Sequence, residues 1–422
     1  MVTELGNDLK LEMDIPFVQV QRLVFTWKVC CHAVMKLEGY VKREAWGGGR
    51  HVRDHGVKLL YMISGKEQIL YQGRLFHMEV REQGDTSFIT AEAISASWQL
   101  DQKKESRSFQ DVSKTYGQVV REFVKDGGGA VICGQETGEA IKAPLIQNEE
   151  TKWSFANRLG SRLGAVVIPD IITGRPNLWF GMREGKEIPG PGQEYHIQMQ
   201  AVGKTPGTCI FVKSREAYKI GDYMVCFGHR AVVAEMEGRY DHGEMIYSYV
   251  LEYGTFYQGD FIEKGHPAGQ GFWGTVREVR EETIKIALDI DGGRETGDYF
   301  YPWYPETGNS LYATPEAGAR ALLCFFQEGQ RNGAVIHCMN KDQDWDRIYT
   351  NRAVNFENGD FIDLTKGIVR ISRGAEHHVT LTDGTVTTRT SGNLRIKAKK
   401  EIRLKGTQIT VHAPEELNIC QG

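Results

Sequence analysis

Apolar and polar positions alternate in short runs along most of the chain, and glycine separates the runs. "LLYMISG", "QILYQGRLFHMEV", "SFITAEAISASW" and "TCIFVKS" are typical. Alternation with a period of two puts successive side chains on opposite faces, so these runs predict half-buried β-strands joined by tight turns. Two stretches break the pattern. In "SKTYGQVVREFVKDGGG", Tyr116, Val119, Val120, Phe123 and Val124 share one helical face. Thr115 with Gln118 forms a capping box, and Gly127 to Gly129 end the helix. In "NEETKWSFANRLGSRLG", Asn148 is the expected cap, Trp153, Ala156, Leu159 and Leu163 form the apolar stripe, and Gly164 is the stop. "AVVIP" then reads as a buried strand.

These breaks divide the chain. Residues 1–105 and 171–260 are the two strand-rich blocks, and 106–170 is a helical insert between them. From 261 to 345, "GFWGTVREV", "TIKIALDI", "ARALLCFFQEG" and "NGAVIHCMN" supply strands for a small antiparallel barrel. Residues 346–365 read as a linker.

The tail, 366–422, has a different rhythm. Its apolar-x-apolar pairs are Val379/Leu381, Val386/Thr388, Leu394/Ile396, Ile402/Leu404, Ile409/Val411 and Leu417/Ile419, with first members 7, 8, 8, 7 and 8 residues apart. A strand with two inward side chains cannot bury itself, whereas stacked repeats can. The economical solution is three identical chains wound round one axis, each giving one face of a filled prism. Two or three ordinary hairpins are the alternative.

At 422 residues and 47.6 kDa the chain holds about two to four domains. The net charge of −4 argues against a general nucleic-acid binder. The charge is uneven: residues 366–422 carry 10 basic and 5 acidic residues, the remainder 41 and 50. No run approaches roughly 18 apolar residues. Acids at Glu4, Asp8, Glu12 and Asp14 stand where a secretory leader would be basic and then apolar, so no secretory signal peptide is expected and the chain reads as a cytoplasmic product. Eight cysteines without a CxxC pair predict reduced thiols, Cys30 and Cys31 packed among them.

The order of blocks and several motifs resemble the VgrG family, the hub-and-spike proteins of contractile injection systems, and their contractile-phage baseplate relatives. "NSLYATPEAGARALLCFFQEGQRNGAVIHCMN" is similar to that family's oligonucleotide/oligosaccharide-binding (OB) barrel, with Glu316, Gly318, Phe325, Gly329 and Val335 at the matching positions. The two helical stretches and the tail repeats resemble the hub helices and the prism. The resemblance implies a mainly β chain: two tube-like hub barrels with a helical insert, an OB-type barrel, and an intertwined trimeric β-prism. It also implies a homotrimer that docks on a hexameric inner tube protein, contacts baseplate proteins, carries effector cargo and pierces the target envelope. A separate tip-capping, PAAR-like protein would cover the blunt end. No cofactor, catalytic residue, metal or nucleic-acid partner is expected. The competing reading is a cell-wall-degrading or glycan-binding phage tail protein.

The chemistry in the sequence is sparse. No Gly-x-Ser-x-Gly, His-Glu-x-x-His or phosphate-binding loop occurs. "DIDGGRETGDYF" (Asp289, Asp291, Asp298) has Arg294 and Phe300 where a calcium loop needs glycine and an acid, and reads as a surface hairpin. His377 and His378 are neighbours on opposite faces, and His412 and Cys420 have outward parity, so neither set converges on a metal.

Overall fold

The computed structural model describes residues 2–6, 8–43, 55–63, 65–189, 195–202, 205–226, 228–241, 243–253, 269–294, 296–305, 314–326, 333–339, 352–356, 358–413, 415–416 and 418. Two compact units result, Met1–Lys341 and Asp342–Gly422.

In the first unit the two strand-rich blocks share one antiparallel sheet of twelve strands. The seam is the strand Phe17–Lys28 against His229–Asp241, in register from Leu23↔Tyr240 to Lys28↔Glu235. Phe25 shows how the sheet is shaped. Its ring lies 6.0 Å from that of Tyr71, three strands away, and 6.4 Å from that of Tyr247, two strands away on the other side. Three strand spacings in a flat sheet would span about 14 Å, so the strands curl round a shared inner face. Phe25, Leu37, Leu59, Ile89, Val233 and Leu251 meet there in one buried cluster. Gly238, the register partner of Phe25, makes room for its ring: a Cβ there would stand 2.3 Å from Phe25 Cε1.

The insert lies against this sheet. Helix α1 spans Tyr116–Asp126 and has the expected capping box, with Gln118 N donating to Thr115 Oγ1 (3.2 Å) and Thr115 N to Gln118 Oε1 (2.8 Å). Helix α2 spans Lys152–Leu163 and ends on Gly164 in the left-handed conformation. Its cap is Thr151, not Asn148. The strand Leu145–Thr151 runs on past Asn148, paired with Lys104–Phe109, and delays the helix start. Phe109, Phe123, Phe155 and Leu159 pack between the helices and these strands. The strand Val167–Pro169 ties the insert to the curled sheet: Cys30 N donates to Val167 O (2.6 Å), and Trp27 Nε1 to Pro169 O (3.0 Å).

Strands Gln270–Arg280, Thr283–Leu288, Phe300–Pro302, Arg320–Phe325 and Gly333–Met339 form a second sheet. Its outer strands meet through a parallel bridge between Trp303 and Val335, with Tyr304 N donating to Val335 O (2.9 Å). That closure makes a five-stranded Greek-key barrel of OB type. Phe272, Ile286, Tyr301, Leu323 and Val335 fill it, joined by Ile146 from the insert.

The second unit is an antiparallel meander of Arg352–Asn355, Phe361–Thr365, Ile368–Arg373, His377–Thr382 and Val386–Arg389. Its first two strands occupy the stretch expected to be a linker. Gly359 and Gly367 adopt positive φ between successive strands, as tight turns require. After Arg389 the described chain forms no further strand.

Candidate functional site

Directly paired residues in neighbouring strands share a face. In the meander Ile362, Ile371, Val379 and Thr388 lie opposite one another, as do Leu364, Val369, Leu381 and Val386. The intervening row, on the other face, is Asp363, Arg370, Thr380 and Thr387. One face is therefore mainly apolar and the other mainly polar, yet nothing among the described residues of the unit covers the apolar one. Leu364, Val369, Ile371, Leu381 and Val386 are exposed, Val386 at 72%, and Ser372 is the one buried residue among those described in this unit. The first two tail pairs expected as stacked repeats, Val379/Leu381 and Val386/Thr388, are opposite sides of a hairpin.

Beyond the meander, Leu394, Ile396, Ile402, Leu404, Ile409 and Val411 are 51–72% exposed. Residues 390–413 make no backbone-to-backbone hydrogen bond among the described residues. Leu417 and Ile419 lie outside those residues. Burying the exposed part of one such aliphatic side chain is worth about 1 kcal/mol. Unpaired strand backbone is likewise a template for other strands. The segment thus offers an apolar row and free main-chain groups together, which is chemistry for assembly.

The OB-barrel residues have structural roles. Phe325 and Val335 are buried in the barrel core. Gly318 adopts φ +89° and its N–H donates to Val276 O (2.8 Å), which fixes the loop carrying the exposed Glu316 against the barrel. Gly329 is outside the described residues. The Asp289–Asp298 segment connects the antiparallel strands Thr283–Leu288 and Phe300–Pro302, as a hairpin turn, but one of its acids points inward. Asp289–Asp291 forms a short 3-10 turn, and the buried Asp291 accepts from Ser108 N (2.6 Å), Ser108 Oγ (2.7 Å) and Thr296 Oγ1 (2.5 Å). Ser108 belongs to the insert, so Asp291 fastens the insert to the barrel. Asp289 takes a bidentate contact from Arg320, which holds its carboxyl below the usual range.

Sequence reasoning missed one cluster. His32 Nδ1 lies 2.8 Å from Ser97 Oγ, its Nε2 lies 3.4 Å from Asp101 Oδ2, and its ring stacks on Trp153 at 4.2 Å. Ser97 is fully buried, so the trio cannot present its hydroxyl to a substrate and instead joins the first strand block to α2. Only long-range packing assembles it. Cys30 accepts a hydrogen bond from Val167 N at Sγ (3.4 Å), whereas Cys31, expected to be packed, is exposed. His377, on the meander, contacts Thr390 Oγ1 (2.8 Å). No helix of the described residues is long and apolar enough to cross a membrane.

No protein-family profile and no curated protein sequence matches the chain. Solved structures do. A component of the E. coli type VI secretion system, itself described as similar to the T4 bacteriophage tail proteins gp27 and gp5, aligns with a TM-score of 0.56 at 10% identity. It covers 78% of this chain and 99% of its own. The half-lidded Francisella PdpA-VgrG complex contains a chain aligning with a TM-score of 0.57 at 7% identity, over 92% of this chain and 89% of its own. The lidless form gives 0.55 at 7% identity, over 92% and 99%. At such identities the likeness establishes the fold alone: a mainly β chain folded like these VgrG and type VI secretion proteins.

Proposed function

We propose that this chain, which has the fold of the VgrG-like hub-and-spike proteins, is the structural hub and central spike of a contractile injection apparatus, working as a homotrimer. The observation that carries the reading is the uncovered apolar face of the tail. Two mainly aliphatic rows cross the meander and six further aliphatic side chains follow it, and most of them are exposed among the described residues of that unit. A second and a third copy present the same rows, so the surface is complementary to itself. Three chains give six strand-rich hub blocks, the count a hexameric inner tube requires. The prism would be the piercing rod, and a PAAR-like protein would cap its strand edges. Baseplate proteins and effector cargo complete the set of partners. The same fold in the PdpA-VgrG complex supports a hub that carries a second protein.

Light scattering of the full chain tests this. The expected mass is three times the 47.6 kDa of one chain. A stable monomer at micromolar concentration would overturn it. Ile402→Asp should abolish the trimer while Lys399→Asp leaves it intact, because only the first sets carboxylates round a dry axis. Equal loss from both would mean the inward register is wrong.

A further inference from the structure

The tail's positive charge is confined to a short stretch. Residues 395–405 hold Arg395, Lys397, Lys399, Lys400, Arg403 and Lys405 against one acid, Glu401. Outside it, the basic and acidic residues of 366–422 balance at four each. Every residue of the stretch is exposed. Glu401 pairs with Arg403 (2.7 Å), and the other five cations make no ion pair among the described residues. Arg395 and Arg403 alternate with the aliphatic pairs Leu394/Ile396 and Ile402/Leu404, so they point away from the apolar row.

We infer that this stretch forms a cationic collar that binds the phosphate headgroups of an anionic bilayer. The inference rests on the trimeric reading, because three copies bring 18 cations and three acids into one band. Such a band repels itself within a Debye length of about 8–10 Å unless anions neutralise it. A cluster of this size matches the polybasic segments that adsorb to anionic leaflets. Four of the six cations are lysines, compact point charges suited to a diffuse headgroup layer rather than to one stereospecific site. No Phe, Tyr or Trp occurs between 390 and 422, so no row of large aromatic rings for stacking bases accompanies the charge.

The test uses the full-length chain, its mass measured first by light scattering. It is then sedimented with vesicles of phosphatidylcholine alone and with one-third phosphatidylglycerol. The expected result is a trimer that binds the anionic vesicles at least about tenfold better than the neutral ones, with binding lost near 0.5 M salt. A Lys397→Gln, Lys399→Gln, Lys400→Gln variant should keep the trimer mass and lose about tenfold in vesicle binding. Inorganic phosphate at equal ionic strength should not compete. A trimer that binds both vesicles equally, that phosphate displaces, or that prefers duplex DNA to vesicles overturns the collar and leaves the trimer standing. A monomer would overturn the trimeric reading itself.

Discussion

The hub and the tail use one strand pattern with opposite burial. Leu37 of the curled sheet is 0% exposed and Leu404 of the tail is 72% exposed, yet both sit in apolar-x-apolar alternation. The difference lies in where the covering surface comes from. In the hub, a strand block more than 200 residues further along the chain supplies it, so the core closes within one molecule. In the tail no later segment of the described chain returns, and on the trimeric reading the cover comes from other copies. On that reading, stability in the first region is a property of the chain, whereas in the second it depends on concentration.

The strongest way to break this comparison is Leu381→Asp in the full-length chain. It places a carboxylate in the apolar row of the meander, where a trimer would bring three together without water. Trimer mass should vanish from light scattering at micromolar concentration while the hub keeps its unfolding transition. Thr380→Asp, on the polar face, is the matched control and should retain the trimer. Loss in both variants, or in neither, would show that the two faces are not inside and outside.

A smaller effect sharpens the hub side. Asp291→Ala removes the acceptor shared by Ser108 and Thr296 and leaves the buried Ser108 N–H unpaired. Stranding such a donor costs about 1–3 kcal/mol. The loss should appear in denaturant unfolding at every protein concentration, and Asp291→Asn should recover part of it through its remaining oxygen. A loss that shrinks as concentration rises would mean that this joint, too, is stabilised by assembly.

Local signals in the sequence carried much of this architecture, and long-range pairing hid the rest. The capping box at Thr115 and Gln118 was legible because its partners are three residues apart. Asn148 looked like an equally good cap, but strand pairing with Lys104–Phe109 overrode it. The seam between Phe17–Lys28 and His229–Asp241 leaves no local trace, since any alternating strand can pair with any other. The strands within 346–365 did leave one. Asn358-Gly359 and Lys366-Gly367 are hairpin turns, and the polar residues around them masked the alternation of Phe361, Asp363 and Thr365 against Ile362 and Leu364. For Val379/Leu381 and Val386/Thr388 the period-two pattern showed which residues share a face, but the hairpin direction of these two pairs depends on the turn between Thr382 and Val386.

The smallest expected effect concerns His32. Burial against Trp153 lowers its pKa, and the contact with Asp101 opposes that shift without cancelling it. The folded hub therefore favours neutral imidazole, while the unfolded chain takes up a proton near the ordinary value of about 6.5. Where the unfolded state binds more protons, stability falls as pH falls. The His32 contribution is thus fully present above about pH 6.5 and is lost as pH drops through the lower, folded value. Carboxylates also weaken the fold in acid, so the informative quantity is a difference between proteins. Denaturant unfolding of wild type and His32→Gln should give parallel stability profiles above neutrality. Below about pH 6.5 the wild type should fall more steeply, by less than one proton in slope. The same difference should appear at low and high protein concentration, because the His32 site lies wholly within one chain. A steeper fall in His32→Gln would mean that the protonated ring, held by Asp101, is the folded form.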